Sequence, residues 1–451
     1  MEVERMKEGE RVLSFAGTTM LSSSSSLRGL AISLFLLFFF FFSADEIMCV
    51  PDSNYTNNRR VETLKLARIE RRLDKINKPA VRTIESPDGD IIDCVPRHKQ
   101  PALDHPLLKN HKIQKAAPQR PRFKGDRTPI NYNASDATRR AWQAWHHVGH
   151  CPKGTVPIRR SSVDDVLRAK SLFHFGKKHL GGVPLARKVD APDVASGNGH
   201  EHAIAYTMNT EEVYGAKATI NVWDPSIQVE NEFSLSQIWI LSGSFDGTDL
   251  NSIEAGWQVS PELYGDSRPR LFTYWTSDAY QATGCYNLLC SGFIQTNNRI
   301  AIGAAISPVS SSGSSQYDIT ILIWKDPIAG NWWMSLGDSS LLVGYWPAAL
   351  FTHLSDRATM VEWGGEVVNT RTHGEHTSTQ MGSGRFAEEG FGRASYFRNL
   401  EVVDSDNSLT SARAIATMAE NSKCYDIKSF SNADWGTYFY YGGPGNNQHC
   451  P

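Results

Sequence analysis

The chain has 451 residues, 40% of them hydrophobic and 21% charged, with a net charge of −2. That length exceeds one ordinary core and predicts two or three folded units. The small total conceals a split: residues 45–195 carry 29 Lys/Arg against 17 Asp/Glu, whereas residues 196–451 carry 13 against 27. A basic half tethered to an acidic half of similar magnitude argues against nucleic acid as its partner and for an intramolecular one. Tethering gives a high effective concentration, and opposite fields attract.

In chain order, Arg28 precedes Leu30–Phe42, an apolar run interrupted only by Ser33. Thirteen residues are too few for an ordinary membrane-spanning helix but suit the core of a signal peptide. The segment before it is long for a signal, so initiation at Met20 and a signal anchor are the alternatives. Cleavage after Cys49 leaves no stable membrane span and predicts secretion to the extracellular space, cell wall or apoplast, or delivery to a vacuole. It also leaves six of the seven cysteines, an even set for an oxidising compartment. Cys285 and Cys290 are close enough to staple a loop, Cys424 and Cys450 tie down the C-terminus, and Cys94 then pairs with Cys151. The sequons at Asn54 and Asn133 fit the same route.

Arg60–Asn77 predicts an amphipathic helix, with Leu66, Ile69, Leu73 and Ile76 at spacings of three and four. Pro87-Asp-Gly89 marks a turn. Lys99–Arg127 reads as extended. Ser162 with Asp165 forms a capping-box pattern that opens a helix through Leu172. The Gly/Pro/Ser-rich stretch 180–199 predicts a cleavage linker. The expected organisation is a signal segment over 1–49, a basic α+β pro-domain over 50–195 and an acidic β domain over 196–451.

Beyond residue 200 helical periodicity disappears. Phe233–Ile240, Ile319–Trp324, Ala216–Trp223, Leu271–Trp275, Ile300–Ile306, Leu341–Tyr345, Met360–Trp363 and Ala394–Val403 read as short strands between turn residues. Many such strands predict an all-β antiparallel sandwich or barrel.

Glu254 in Ile-Glu-Ala-Gly-Trp and Glu366 in Trp-Gly-Gly-Glu-Val occupy similar frames on strand-like stretches. A carboxylate in such surroundings loses solvation, which raises its pKa. Two of them face to face share a proton and divide acid and base roles; set apart, each merely bonds a neighbouring strand. His200-Glu-His202 and His373-Gly-Glu-His376 lack a His-Glu-x-x-His pattern and sit in loop-like contexts, so no metal is expected. There is no Gly-x-Ser-x-Gly elbow, phosphate loop or C-x-x-C, and no cofactor is expected. Trp332-Trp333 and Gly344-Tyr-Trp346 suit a cleft or a core equally.

Ile91-Asp-Cys-Val-Pro-Arg-His-Lys-Gln-Pro and Cys151-Pro-Lys-Gly-Thr-Val-Pro-Ile resemble the activation peptide of plant neprosin-like proteins. Ser236-Gln-Ile-Trp, Pro261-Glu-Leu-Tyr-Gly-Asp, Gly284-Cys-Tyr-Asn-Leu-Leu-Cys, Met381-Gly-Ser-Gly and the frames of both glutamates resemble the catalytic domain. The resemblance implies a β-sandwich of two packed antiparallel sheets. It implies a secreted zymogen of a glutamic endopeptidase that cleaves proline-containing peptides or proteins after proline at acid pH. Glu254 and Glu366 would be the catalytic pair, and the family disulfides match the three pairs above. Gln237 suits an oxyanion or orienting role, or a structural amide. The polar stretch 369–380 departs from the family pattern close to Glu366. The rival reading is a non-catalytic extracellular or cell-wall binding β-sandwich.

Overall fold

A computed structural model describes residues 53–124, 138–140, 142–178, 199–207, 212–244, 248–337, 341–371 and 374–451. The signal segment, Asn133, His373 and most of the 180–199 linker lie outside these residues. Residues 57–451 form one compact unit.

Six strands make one sheet, in the order Arg270–Thr276, Asn251–Val259, Ser234–Ser242, Met360–Val368, His200–Thr207 and Ile415–Ala419. Every neighbouring pair is antiparallel. A larger sheet is centred on Gln316–Lys325, Gly215–Asn221 and Ser395–Val403. Between the two lies the core. Ala203, Ile238, Ala255, Trp257 and Trp363 from the first sheet pack with Ala218, Ile220, Ile321, Trp324 and Phe397 from the second. The result is a β-sandwich of two packed sheets, with period-2 side-chain alternation along its strands. Trp332, Trp333, Tyr345 and Trp346 belong to this core and do not line a cleft.

The strand carrying Glu366 runs five residues beyond the expected Met360–Trp363; Gly364 admits the backbone of Ala203 and Ile204 on one neighbouring strand, and Gly365 admits the Tyr441 and Met381 side chains. Ile300–Ile306 is not a strand; it makes only isolated bridges, Ile302 with Ile158 and Ala305 with Arg270. Its small apolar residues Ala301 and Ala304 instead pack on Ile84, Ile92, Cys94, Trp145 and Cys151 of the basic half.

That basic half contributes a three-stranded sheet of Arg82–Glu85, Ile91–Pro96 and Thr155–Arg159. The helix Ser53–Ile76 buries Ile69, Leu73 and Ile76 against Val166 and Phe175. The second helix covers only Val163–Arg168, because Ala169 turns extended (φ −70°, ψ 145°); both halves of its Ser162/Asp165 capping box are formed. The described part of the stretch expected to be extended, residues 99–124, is partly coiled, with 3-10 turns at Pro101–Asp104 and Pro106–Leu108. Its short strand Arg122–Phe123 then pairs in parallel with Ser408–Ser411 of the large sheet. Disulfides join Cys94 to Cys151, Cys285 to Cys290 and Cys424 to Cys450.

Candidate active site

Glu254 and Glu366 lie on strands separated by a single strand, Ser234–Ser242. Ile253 and Ala255, beside Glu254, and Val367, beside Glu366, face the sandwich core. Alternation therefore turns both glutamates to the opposite face, which is covered by Ile204, Leu235, Trp239, Phe272, Tyr274 and Tyr286. Both carboxyl side chains are fully buried.

Gln237 stands between them, paired in register with Gly256 on one side and Gly364 on the other. A Cβ on Gly256 would lie 1.9 Å from the Ser236 carbonyl oxygen, so only glycine lets the strands close at this point. The Gln237 Nε2 donates to Glu254 Oε2 at 3.1 Å. Its Oε1 is buried with no hydrogen-bond partner. Glu254 Oε1 accepts from Ser252 Oγ at 2.6 Å and from the Tyr280 hydroxyl at 2.5 Å.

The surroundings of Glu366 are different. Lys178 Nζ donates to Glu366 Oε2 at 2.8 Å and lies 3.5 Å from Glu254 Oε2. One buried ammonium thus touches both carboxylates. His200 Nδ1 lies 2.6 Å from Glu366 Oε1, and His202 Nε2 lies 3.9 Å from the same oxygen. His202 Nδ1 also meets Glu420 Oε2 at 3.1 Å.

These contacts reverse the expected titration of Glu366. Burial alone raises its pKa, but Lys178 together with the two imidazoles holds it well below the usual carboxylate range. Burial likewise lowers the pKa of Lys178, and the two glutamates overcome it and hold the ammonium above its ordinary value. Tyr280 and Tyr286 are pushed well above the ordinary tyrosine value, by burial first and by the nearby carboxylates second.

Lys178 reaches the site from the basic half. Phe175 is buried, the Gly176 carbonyl accepts from the Tyr286 N–H at 2.8 Å, and the Lys178 N–H donates to the Tyr274 hydroxyl at 3.3 Å. A pocket lined by Phe175, Lys178, Phe233, Leu263, Tyr286 and Val368 opens beside the ammonium.

Sequence reasoning did not select Lys178, Ser252, Tyr274, Tyr280 or Tyr286. Tyr280 sits in a left-handed conformation (φ 64°), which no local motif announces. The sequence context of His200 and His202 predicts a loop. They lie on the strand His200–Thr207, where the i, i+2 spacing turns both toward Glu366. That spacing was the signal available. Of the second histidine motif, His376 is buried and bonds Glu201 at 2.8 Å. Among the described residues His376 also lies near Cys424 and Cys450. Those cysteines are spent on a disulfide, so the cluster does not fit a metal.

Residues 83–206 match the neprosin activation peptide, and residues 230–444 match the neprosin family. Among solved structures, scytalido-glutamic peptidase with a transition-state analog inhibitor is 13% identical; the match covers 54% of this chain and 97% of that one, with a TM-score of 0.30. SCP-B, a member of the eqolisin family of peptidases in complex with the tripeptide Ala-Ile-His, is 10% identical over 54% of this chain and 96% of that one, with a TM-score of 0.27. The two adjacent family matches carry the assignment: the chain belongs to the neprosin-like family and bears that family's activation peptide ahead of its catalytic domain.

Proposed function

We propose that the chain is the secreted zymogen of a glutamic endopeptidase that hydrolyses peptide bonds after proline at acid pH. Glu254 and Glu366 form its water-activating pair. The observation that carries this reading is the contact of one ammonium with both carboxylates, which supports treating them as members of one site. A water in place of Lys178 Nζ would meet an oxygen of each. One carboxylate then takes the water proton while the other, protonated, donates to the scissile carbonyl. Gln237 orients Glu254 through its amide N–H.

The precursor is latent because Lys178 fills that position. The activation segment ends in the stretch 180–199, and the mature domain begins near residue 190. Residues 50–195 are the pro-domain and 196–451 the catalytic domain. Tyr280 and Tyr286, whose pKa values burial and then both carboxylates raise, and Tyr274, packed against them, are the aromatic side chains that would meet a proline ring once Lys178 leaves.

The direct test is incubation of the acidified protein with proline-containing peptides, reading cut sites by mass and the product N-terminus by sequencing. The reading predicts cuts on the carboxyl side of proline and an N-terminus near 190. A matured protein that leaves such peptides intact would refute it.

A further inference from the structure

The two carboxyl groups have different surroundings, and the difference survives removal of the activation segment. Glu254 is held by neutral donors, namely the Ser252 and Tyr280 hydroxyls and the Gln237 amide. Glu366 is held by groups that can carry positive charge: Lys178, His200 and, at longer range, His202. Lys178 lies upstream of the linker. His200 and His202 lie downstream, on the strand that pairs with the Glu366 strand itself, so they stay with the catalytic domain. Among the described residues, Tyr286 and Tyr274 are further titratable groups near the pair, and Glu420 bonds His202.

The two imidazoles are not equivalent. His202 is committed to Glu420, whose Oε2 also accepts the His202 backbone N–H at 2.8 Å. Burial works against its charge, yet Glu420 and then Glu366 keep its pKa above the ordinary value. His200 makes the closer contact with Glu366, through Oε1. Its ring is packed edge-on to Phe233, centroids 5.8 Å apart. That leaves Glu366 Oε2, the oxygen now bonded to Lys178, as the one exposed to whatever replaces the ammonium.

We propose that His200 is a positioning residue that holds Glu366 as the ionised, water-activating member of the pair and thereby leaves Glu254 as the proton-bearing acid. This assignment rests on the two-glutamate reading above. A donor that carries charge favours the ionised form of its partner more than a neutral donor does. In the step that follows, the water oxygen bonds to the scissile carbon, its proton passes to Glu366 Oε2, and the Glu254 proton passes to the carbonyl oxygen. Collapse breaks the C–N bond. The proton on Glu366 goes to the leaving nitrogen, and the hydroxyl proton returns to Glu254.

The test uses the acid-matured enzyme and the pH profiles of kcat and kcat/KM. His200→Leu is expected to move the acid limb of kcat/KM up by about one pH unit and to lower kcat about tenfold with KM little changed. His200→Gln, which keeps a donor but cannot take up a positive charge, should fall between Leu and the parent; it decides the matter if the leucine variant does not mature. An unmoved acid limb in matured His200→Gln and His200→Leu overturns the assignment. Glu254→Gln and Glu366→Gln are measured alongside. An amide can still donate to a carbonyl but cannot take up a proton, so Glu254→Gln should retain at least about tenfold more residual activity than Glu366→Gln. The reverse order overturns the role of His200 while leaving the glutamate pair intact. Full activity in both glutamine variants instead defeats the two-glutamate reading itself.

Discussion

Lys178 is fully buried yet charged, and it is stable only because two carboxylates neutralise it. Removing one member of a buried pair strands the other, at a cost of about 3–5 kcal/mol. Lys178→Ala should therefore lower the melting temperature of the precursor. The sign with pH follows from Glu366, whose pKa in the folded protein is depressed. Its contribution is present above the unfolded carboxylate pKa and lost as pH falls through the folded value. The gap between Lys178→Ala and the parent should thus be widest near pH 7 and narrow toward pH 3, as read by thermal denaturation across that range. A gap that grows on acidification contradicts this. Tyr280→Phe removes a 2.5 Å donor from Glu254 and should cut kcat about tenfold or more, leaving KM less affected. The glutamates were legible because glycines and tryptophans frame them on strands. Lys178 was not, because nothing local distinguishes it from the other lysines of a basic segment; only tertiary placement does.

At the level of elements, the approach of the two glutamates depends on three strands closing around Gln237. Gly256 makes this possible, since a Cβ there would sit 2.6 Å from the Gln237 Cα as well as 1.9 Å from the Ser236 carbonyl oxygen. Gly256→Ala forces backbone apart and should destabilise at or beyond the upper end of the roughly 1–3 kcal/mol seen for overpacking. Chemical denaturation of the matured domain measures it, and an alanine variant of parental stability would show that the strands can move. The strand-rich texture after residue 200 revealed the sandwich, and most apolar runs map onto strands to within a few residues. His200–Thr207 is harder to read, because burial on both faces erases the polar alternation that marks a half-exposed strand. Ile300–Ile306 fails for the opposite reason: it is apolar because the basic half covers it, not because it joins a sheet.

For the whole molecule, the opposed charges of the two halves are not the main direct contact between them. Among the described residues, the buried ion pairs joining them are Lys178 with the glutamates and Arg270 with Asp90, and the second has the reverse polarity. Three histidines of the basic half give the docked state a pH dependence to test instead. Burial lowers the pKa of His105, His111 and His146. His105 packs edge-on to Trp275, and His111 bonds the Tyr345 hydroxyl. His146 bonds the Arg299 carbonyl and lies beside Trp142, Trp145 and His150. A base with a depressed folded pKa stabilises the docked state above its unfolded value of about 6.5 and loses that contribution as pH falls. Acidification should therefore loosen these contacts before Glu366 can be protonated. Replacing all three by glutamine should make precursor processing less dependent on pH between 7 and 4, followed by gel densitometry; an unchanged pH dependence would contradict it. The proposal that Glu254 and Glu366 act as one catalytic pair is tested most directly by peptide hydrolysis with correctly matured Glu254→Gln and Glu366→Gln. A loss of about 10²-fold or more in kcat is expected for each. Near-parental turnover in either variant would contradict it.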